Sequence, residues 1–411
     1  MKPLAEAQRA VLTAMEPLPA EAVDLEAALG LVLAADVVAP HDVPPFANSG
    51  MDGFAVRAAD VATPPVTLAV VGDIAAGSIP VGPVGPGEAI RIMTGAPMPA
   101  GADAVVMVED TEAAGSSVRI LAPAQVGDHL RPAGGDVRAG TTVFPAGERL
   151  TPFHLGVLAS LGIVHPVVGR RATVAILSTG DEVVPPETAS LRAGAIRDAN
   201  RPLLAAALRE LGATVVDLGI VPDDPRLLRS VLGEAATSAD AVLTSGGVSM
   251  GEHDLVKRVL SDLGSIEFWK VAMQPAKPFA FGFLGTTPLF GLPGNPVSVA
   301  VAFEQFVRPA LLHRMGARRL FRPRSTATLG EAVVTNPEKT VFLRVVARAE
   351  SGGWVVTPVG RQASNVLSGM AAADALAVVP VGVGDLPLGG SVEVEWFRSP
   401  ETRTMEEVLG G

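Results

Sequence analysis

The segment LTSGGVSMGEHD, residues 243–254, gathers the side chains and backbone best suited to chemistry in this chain. The apolar run Ala241-Val242-Leu243 reads as a buried strand, and Ser245, Gly246, Gly247 and Ser249 read as the tight turn that follows it. Beyond Gly251 the apolar residues Leu255, Val256, Val259, Leu260 and Leu263 fall at helical spacing. A strand, a glycine turn and a helix start form a place where backbone N–H groups face an anion. Glu252 and Asp254 at the same spot would repel a bare phosphate, and a divalent cation between carboxylates and phosphate resolves the conflict.

Other acidic residues follow other strand-like runs: Asp181 and Glu182 in LSTGDEV, and Asp223 and Asp224 in GIVPDDP. With Asp254 they cluster after the strands, and three such carboxylates arriving at one sheet edge would offer the hard oxygen ligands that suit Mg²⁺. Asp224, directly before Pro225, also has the pattern of a helix N-cap. In FWKVAMQPAKPFAFG, Lys270 and Lys277 flank a turn and would clamp a phosphate or oxyanion. Lys277 lies between Ala276 and Pro278 in an apolar strand approach, so incomplete exposure is expected for it. GLPGNPVSVAVAFEQF is a second strand–turn–helix junction. There Pro293 and Pro296 stiffen the turn, Gly294 permits close backbone approach beside Asn295, and Ser298 falls in the first helical turn. Asp52, Thr94 and Asp136 sit on glycine-rich turns earlier in the chain, where Asp-Gly is also an ordinary turn signal. Among the histidines only His253 lies beside these carboxylates.

Composition narrows the classes. A chain of 411 residues suggests two to four domains, and 48% hydrophobic residues supply enough apolar surface for packed cores. The net charge of −11 argues against nonspecific nucleic-acid binding, yet leaves room for a locally basic site that takes an anionic small molecule. The absence of cysteine excludes disulfides, thiolate catalysis, zinc–sulfur sites and iron–sulfur clusters. No Walker A, G-x-G-x-x-G, H-E-x-x-H or G-x-S-x-G pattern occurs. MKPLAEAQRAVLTAM lacks the apolar stretch of a signal peptide and no run approaches a membrane span, so a cytoplasmic protein without membrane association is expected.

The elements that must position these residues fall into blocks. Residues 1–43 and 141–170 read as a helical and linking region, with helical patterning in AEAQRAVLTAM, LEAALGLVLA and TPFHLGVLASLG. Residues 44–140 carry short apolar runs (VTLAVVGDI, AIRIM, AVVMVED) between Pro- and Gly-rich turns and read as an inserted β domain. From 171 to 320 strand-like and helical runs alternate, predicting an α/β domain with a parallel-rich central sheet, in which ligands gather at strand carboxyl ends. Residues 321–411 return to short alternating runs and predict a small C-terminal β domain.

Several of these segments, in order, resemble the molybdopterin molybdenumtransferase family, the MoeA-like proteins: NSGMDGFAV, RIMTGAPMPAGADAVV, LSTGDEV, IRDANRPLL, TSGGVSMGEHD, KPFAFG and GLPGNPVSVA, between positions 44 and 310. The resemblance implies a MogA-like α/β domain, a C-terminal β domain like a barrel, and a transferase that inserts molybdate into adenylylated molybdopterin and releases AMP. It implies Mg²⁺ dependence and an elongated homodimer whose site draws the α/β domain of one subunit towards the inserted domain of the other. Matched motif by motif, it assigns reaction roles to Asp52, Thr94, Asp136, Glu182, Asp223 and Asp254, with Glu182, Asp223 and Asp254 as metal ligands. Substrate contacts fall to Ser245, Gly246, Gly247, Ser249, Lys270, Gln274, Lys277, Pro293, Gly294, Asn295, Pro296 and Ser298. Many members of the family carry a second lysine where this chain has Gln274. Either Lys277 supplies that charge or one oxyanion contact is neutral. An upstream adenylyltransferase is an implied partner. Two alternatives share the α/β domain: the adenylyltransferase itself, and a noncatalytic molybdopterin-binding or scaffold protein. The single copy of the SGG…GEHD segment and the flanking β domains favour the insertion step.

Overall fold

All five residues of AVLTS, Ala241–Ser245, are buried, as expected of a strand covered on both faces of a parallel sheet. That strand lies inside a six-stranded sheet whose order is Thr214–Val221, Thr173–Thr179, Ala241–Ser245, Thr287–Leu292, Pro278–Leu284 and Ser265–Lys270. The first four run parallel and the last two are antiparallel, which matches the parallel-rich sheet predicted from sequence. The structure is a computed structural model that describes residues 1–79, 82–247, 255–398 and 405, so the expectations for Ser249, Glu252, His253 and Asp254 lie outside the described residues.

The period-two alternation of strand side chains divides the core. Val174, Ile176, Leu243 and Phe290 belong to the larger cluster with Leu204, Leu208, Phe279 and Phe306, while Ala175, Leu177, Val242 and Leu289 join Leu228, Leu232 and Val259 in the other. The larger cluster continues into the C-terminal region through Phe342, Leu376 and Val378, and into the first helix, Leu4–Thr13, through Ala7 and Val11. The helix Pro225–Ser238 starts as its sequence suggested: Asp224 accepts hydrogen bonds from the N–H groups of Arg226 and Leu227, with Pro225 in the first turn.

The C-terminal strands close on themselves. Thr340–Glu350 pairs with Gly353–Pro358 and with Ala375–Val379, and the ring is completed through Arg324–Leu329 and Ser391–Trp396. Closure removes the exposed strand edges that a small open sheet would present. The two-residue strand Met273–Gln274 joins this barrel from the α/β domain, with Gln274 opposite Val341. A second six-stranded sheet, in the order Ala104–Met107, Gly53–Val56, Glu88–Ile92, Val66–Ile74, Ser117–Ile120 and Thr111–Ala114, carries the glycine-rich turns of the inserted segment.

One expected helix is absent. LEAALGLVLA forms only a 3-10 turn, Leu25–Ala28. Gly30, at φ +76°, turns the chain out of helical geometry, and Val32 and Leu33 bridge instead to Arg149 and Val168. Long-range pairing of buried Leu31, Val32 and Leu33 overrides the local pattern there. Among the described residues no helix is long and apolar enough to cross a membrane.

Phe279 stacks on Phe306 with ring centroids 4.3 Å apart, at the joint between sheet and helices. Phe279→Ala is expected to destabilise the protein by about 3–5 kcal/mol, read as a lower urea midpoint. An unchanged midpoint would show that this joint does not limit stability.

Candidate functional site

The strand order reverses at one place in the sheet. From Thr173–Thr179 the chain first builds the neighbour on one side, Thr214–Val221, and then returns to build Ala241–Ser245 on the other. Such a switch point leaves a crevice at the carboxyl ends of the two central strands, where neither connecting segment crosses. A cleft of about 790 Å³ lies there. Its walls include Thr179 and Gly180, then Ser245, Gly246 and Gly247, and then the Pro293–Pro296 turn after Thr287–Leu292. Gly246 has φ +93°, and an added Cβ would meet the carbonyl oxygen of Thr179 at 2.9 Å, so a side chain there would force the two strand ends apart.

A residue from a third element ties the two turns together. Asn200, the first residue of the helix Asn200–Leu211, donates from Nδ2 to Ser245 Oγ at 2.8 Å and to the Gly294 carbonyl at 2.7 Å. The carbonyl can only accept, which fixes the orientation of the amide. Its Oδ1 is then buried with no hydrogen-bond partner among the described residues. Asp198, two residues earlier, is buried and accepts from Ser178 Oγ at 3.1 Å and from Arg201 Nε at 3.0 Å. Arg201 also bonds Asp217. Burial alone would lower the Arg201 pKa, but its bonds to Asp198 and Asp217 raise it.

The C-terminal barrel supplies part of the wall. Asn365 lines the cleft, and its neighbour Ser364 holds the proline turn by two bonds: Ser364 Oγ accepts from Asn295 Nδ2 at 3.0 Å, and its carbonyl accepts from the Val297 N–H at 3.1 Å. The loop carrying them is organised from below by Arg344. This buried guanidinium donates to the carbonyls of Val366 at 2.7 Å and Arg361 at 2.8 Å, and to Gln362 Oε1 at 3.3 Å. Burial without a carboxylate partner lowers the Arg344 pKa from its usual value.

Of the residues singled out in the sequence, Glu182, Asp223, Ser245, Gly246, Gly247, Pro293, Gly294, Asn295 and Pro296 all line this cleft. Ser298 is buried in the following helix and does not line it. Lys270, Gln274 and Lys277 are exposed and lie outside the lining. Lys277 departs from its expected partial burial because Ala276 takes the buried position at that bend, at 2% exposure. Asp52, Thr94 and Asp136 also stand outside the cleft, on the inserted segment. The structure does join two of these: Asp52 Oδ1 accepts from the Thr94 N–H at 2.6 Å and from Thr94 Oγ1 at 2.7 Å. The Thr94 hydroxyl, then its N–H, holds the Asp52 carboxyl below its ordinary pKa. Asp136 is exposed, and its backbone N–H donates to the Val43 carbonyl at 3.0 Å.

Glu182 and Asp223 are the exposed carboxylates of the cleft lining, whereas Asp198 is buried against Arg201. Asp181 accepts from the Asp223 N–H at 3.1 Å, and Asp224 is spent on its helix cap. Among the described residues no three acidic or histidine side chains converge as a metal-binding group, and Asp254 lies outside that set. Sequence reasoning passed over Arg197, Asp198, Asn200, Arg344, Ser364 and Asn365. The run IRDAN, polar residues between a short strand and a helix, was the local signal for the first three. No local signal marks the others: Asn365 lines the cleft, and Ser364 and Arg344 hold its surroundings, only through the barrel's long-range packing.

Comparison with known proteins is consistent along the chain. Residues 2–162 match the MoeA N-terminal region (domain I and II), residues 175–313 a probable molybdopterin binding domain, and residues 326–397 the MoeA C-terminal region (domain IV). The chain is 41% identical over 404 residues to molybdopterin molybdenumtransferase 2 of Mycobacterium tuberculosis, covering 96% of this chain and 99% of that one. It is 37% identical over 390 residues to the molybdopterin molybdenumtransferase of Haemophilus influenzae, covering 93% and 95%. The solved structure of the molybdopterin biosynthesis moeA protein from Pyrococcus horikoshii OT3 superimposes with a TM-score of 0.84 at 28% identity, covering 97% of this chain and 100% of that one.

Two measurements test the geometry. Thr94→Val keeps the backbone donor but removes the hydroxyl, so the Asp52 carboxyl should titrate closer to its ordinary value in a carbon-13 NMR pH series. The sign follows from linkage. A depressed carboxyl stabilises the fold above its unfolded pKa, and that contribution is lost as pH falls through the lower folded value; Thr94→Val narrows this window. An unshifted titration would mean that the Thr94 N–H alone holds the charge. Asn200→Ala removes the tie between the turns and should cost about 1–3 kcal/mol locally. The readout is faster hydrogen exchange at the Gly246 N–H, which donates to the Leu292 carbonyl. Unchanged exchange would show that each turn holds itself.

Proposed function

The chain belongs to the molybdopterin molybdenumtransferase (MoeA) family, and from that membership we propose that it inserts molybdate into adenylylated molybdopterin and releases AMP. The observation that carries this reading is the cleft at the sheet's switch point, lined by Gly246 and Gly247, by the Pro293–Pro296 turn and by the carboxylates of Glu182 and Asp223.

The donor set suits Mg²⁺, which commonly takes one or two carboxylates and completes its shell with water and substrate phosphate oxygens. Glu182 and Asp223, with Asp254, would hold the cation, and its chemistry there would be to neutralise charge on the phosphoanhydride. In AMP release a phosphorus–oxygen bond of that anhydride breaks, and water supplies the incoming oxygen. No protein nucleophile is needed, so the work of this chain is to hold, orient and exclude. Gly246 and Gly247 let the substrate approach the backbone, and Asn200 keeps both turns in register. The sulfur atoms that receive molybdenum belong to the substrate, in keeping with a chain that has no cysteine. Lys270 and Lys277, both exposed, are the cations offered to molybdate, with Gln274 a neutral contact between them.

Asp52 and Thr94 stand ready as a pair outside the cleft. A homodimer in the cytoplasm, with the inserted domain of a second copy reaching the cleft, would bring Asp52 and Asp136 to it. That arrangement gives a use to an aspartate whose pKa is lowered by the Thr94 hydroxyl and N–H and which stands outside the cleft of its own chain.

The test is AMP release from adenylylated molybdopterin by the purified protein, with and without molybdate and Mg²⁺. Release is expected to require both, and Asp254→Asn should cut turnover at saturating Mg²⁺ by about a hundredfold, the scale of losing one electrostatic contact to developing charge. Full turnover in Asp254→Asn would sink its role in holding the metal. A protein that makes the adenylylated intermediate from ATP, and cannot consume it, would be the adenylyltransferase instead. One that does neither would be a binding protein.

A further inference from the structure

Arg197 differs from the other arginines of its neighbourhood. Arg201 is neutralised by Asp198 and Asp217, and Arg192 donates to the carbonyl of Asp181 at the foot of the same loop. Arg197 has no carboxylate within ion-pair distance among the described residues. Its Nη2 donates to the Thr188 carbonyl at 2.7 Å and, at the limit of bonding distance, to the Ala189 carbonyl at 3.5 Å. These carbonyls anchor one end of the guanidinium, and among the described residues no acceptor takes Nε or Nη1. The backbone is fixed too, because Arg197 pairs with Val184 in the short parallel ladder that follows Glu182.

The charge around it gives this geometry meaning. The charged side chains that line the cleft are Glu182, Arg197, Asp198 and Asp223. Asp198 is answered by Arg201 inside the wall, and Arg197 is the only cation among the described lining residues. A phosphate entering a cleft lined by carboxylates is repelled unless a fixed cation receives it. A guanidinium held at one edge, with its other donors open, is preorganised for paired hydrogen bonds to phosphate oxygens.

We propose that Arg197 binds the phosphate of the adenylyl half of the substrate and of product AMP. The inference rests on the proposed function for its choice of nucleotide, but the contact itself is a phosphate contact and is measured without turnover. Because the guanidinium is exposed, its substitution leaves the fold intact, and a thermal melt of each variant checks this.

The experiment is equilibrium binding of AMP and of adenosine to the wild-type protein, Arg197→Ala and Arg197→Lys, with the KM for adenylylated molybdopterin as a second readout. Arg197→Ala should weaken AMP at least about tenfold, the scale of one charge-assisted contact, and leave adenosine within about twofold. Arg197→Lys keeps the charge but not the fork and should fall between. The AMP difference should shrink as salt is raised, since an exposed charge is screened. Equal weakening of AMP and adenosine, unchanged AMP affinity in Arg197→Ala, or a wild-type protein that binds neither ligand would each overturn the proposal. If AMP binding depends on Arg197 but adenylylated molybdopterin is not consumed, the phosphate contact stands and the insertion reaction falls. If insertion proceeds with an unchanged KM in Arg197→Ala and AMP binding is unaffected, the reverse holds.

Discussion

One side-chain amide holds together what two strands would otherwise let drift. The strand Ala241–Ser245 ends in Gly246 and Gly247, the strand Thr287–Leu292 ends in a turn that carries Gly294, and Asn200 bonds both ends through Ser245 and Gly294. Parallel strands end side by side, and beyond their last paired residues, Ser245 and Leu292, the backbone bond from the Gly246 N–H to the Leu292 carbonyl still leaves the proline turn to be held from elsewhere. A donor from a third element supplies that constraint, and it works because the helix Asn200–Leu211 packs through Leu204 and Leu208 into the same core as the strands. Packing energy in the core is thereby converted into positional accuracy at the cleft, the form of rigidity that a site working by orientation requires.

The barrel extends the same logic from a distance. It touches the α/β domain on both sides of the proline turn, through the Gln274–Val341 pairing and through Ser364 at Asn295 and Val297. Arg344 sits on the strand that makes the first contact and shapes the loop that makes the second. With Phe342, Leu376 and Val378 continuous with Phe306 and Met273, the two regions share one core and cannot rearrange independently without exposing apolar surface. The stretch that carries Lys270, Gln274 and Lys277 therefore takes its position from the barrel as much as from the sheet.

What the sequence disclosed and what it withheld follow one physical divide. Glycine turns, prolines and strand-end acids are local devices, and Ser245, Gly246, Gly247, Pro293, Gly294, Asn295 and Pro296 were readable because each declares its backbone role within a few neighbours. The alternation of strands and helices from Thr173 onward was readable for the same reason, and it implied the parallel-rich sheet. Asn365 and Ser364 were not, since only the tertiary path of the barrel brings Ser364, 69 residues downstream, against Asn295. Leu31–Leu33 misled in the opposite direction: a run with helical spacing was claimed by bridges to Arg149 and Val168. Lys277 misled through its neighbours, because apolar flanks say which residues are buried beside a lysine and not where the lysine itself points.

The electrostatics of the cleft explain why an acidic protein can hold an anionic substrate. The overall charge of −11 sets a repulsive background that solution ions screen beyond roughly 8–10 Å at physiological salt. Inside the cleft the balance is local and divided by depth. Asp198 is buried and cancelled by Arg201, so it shapes the wall without adding field. Glu182 and Asp223 remain exposed at the rim. Arg197 lines the same cleft with no carboxylate at ion-pair distance among the described residues. A cation and a carboxylate held at separate points of one cleft can each meet a different part of a ligand. The same economy is visible at Asp52, where two neutral donors from Thr94, not a cation, keep the carboxylate ionised and its charge unspent.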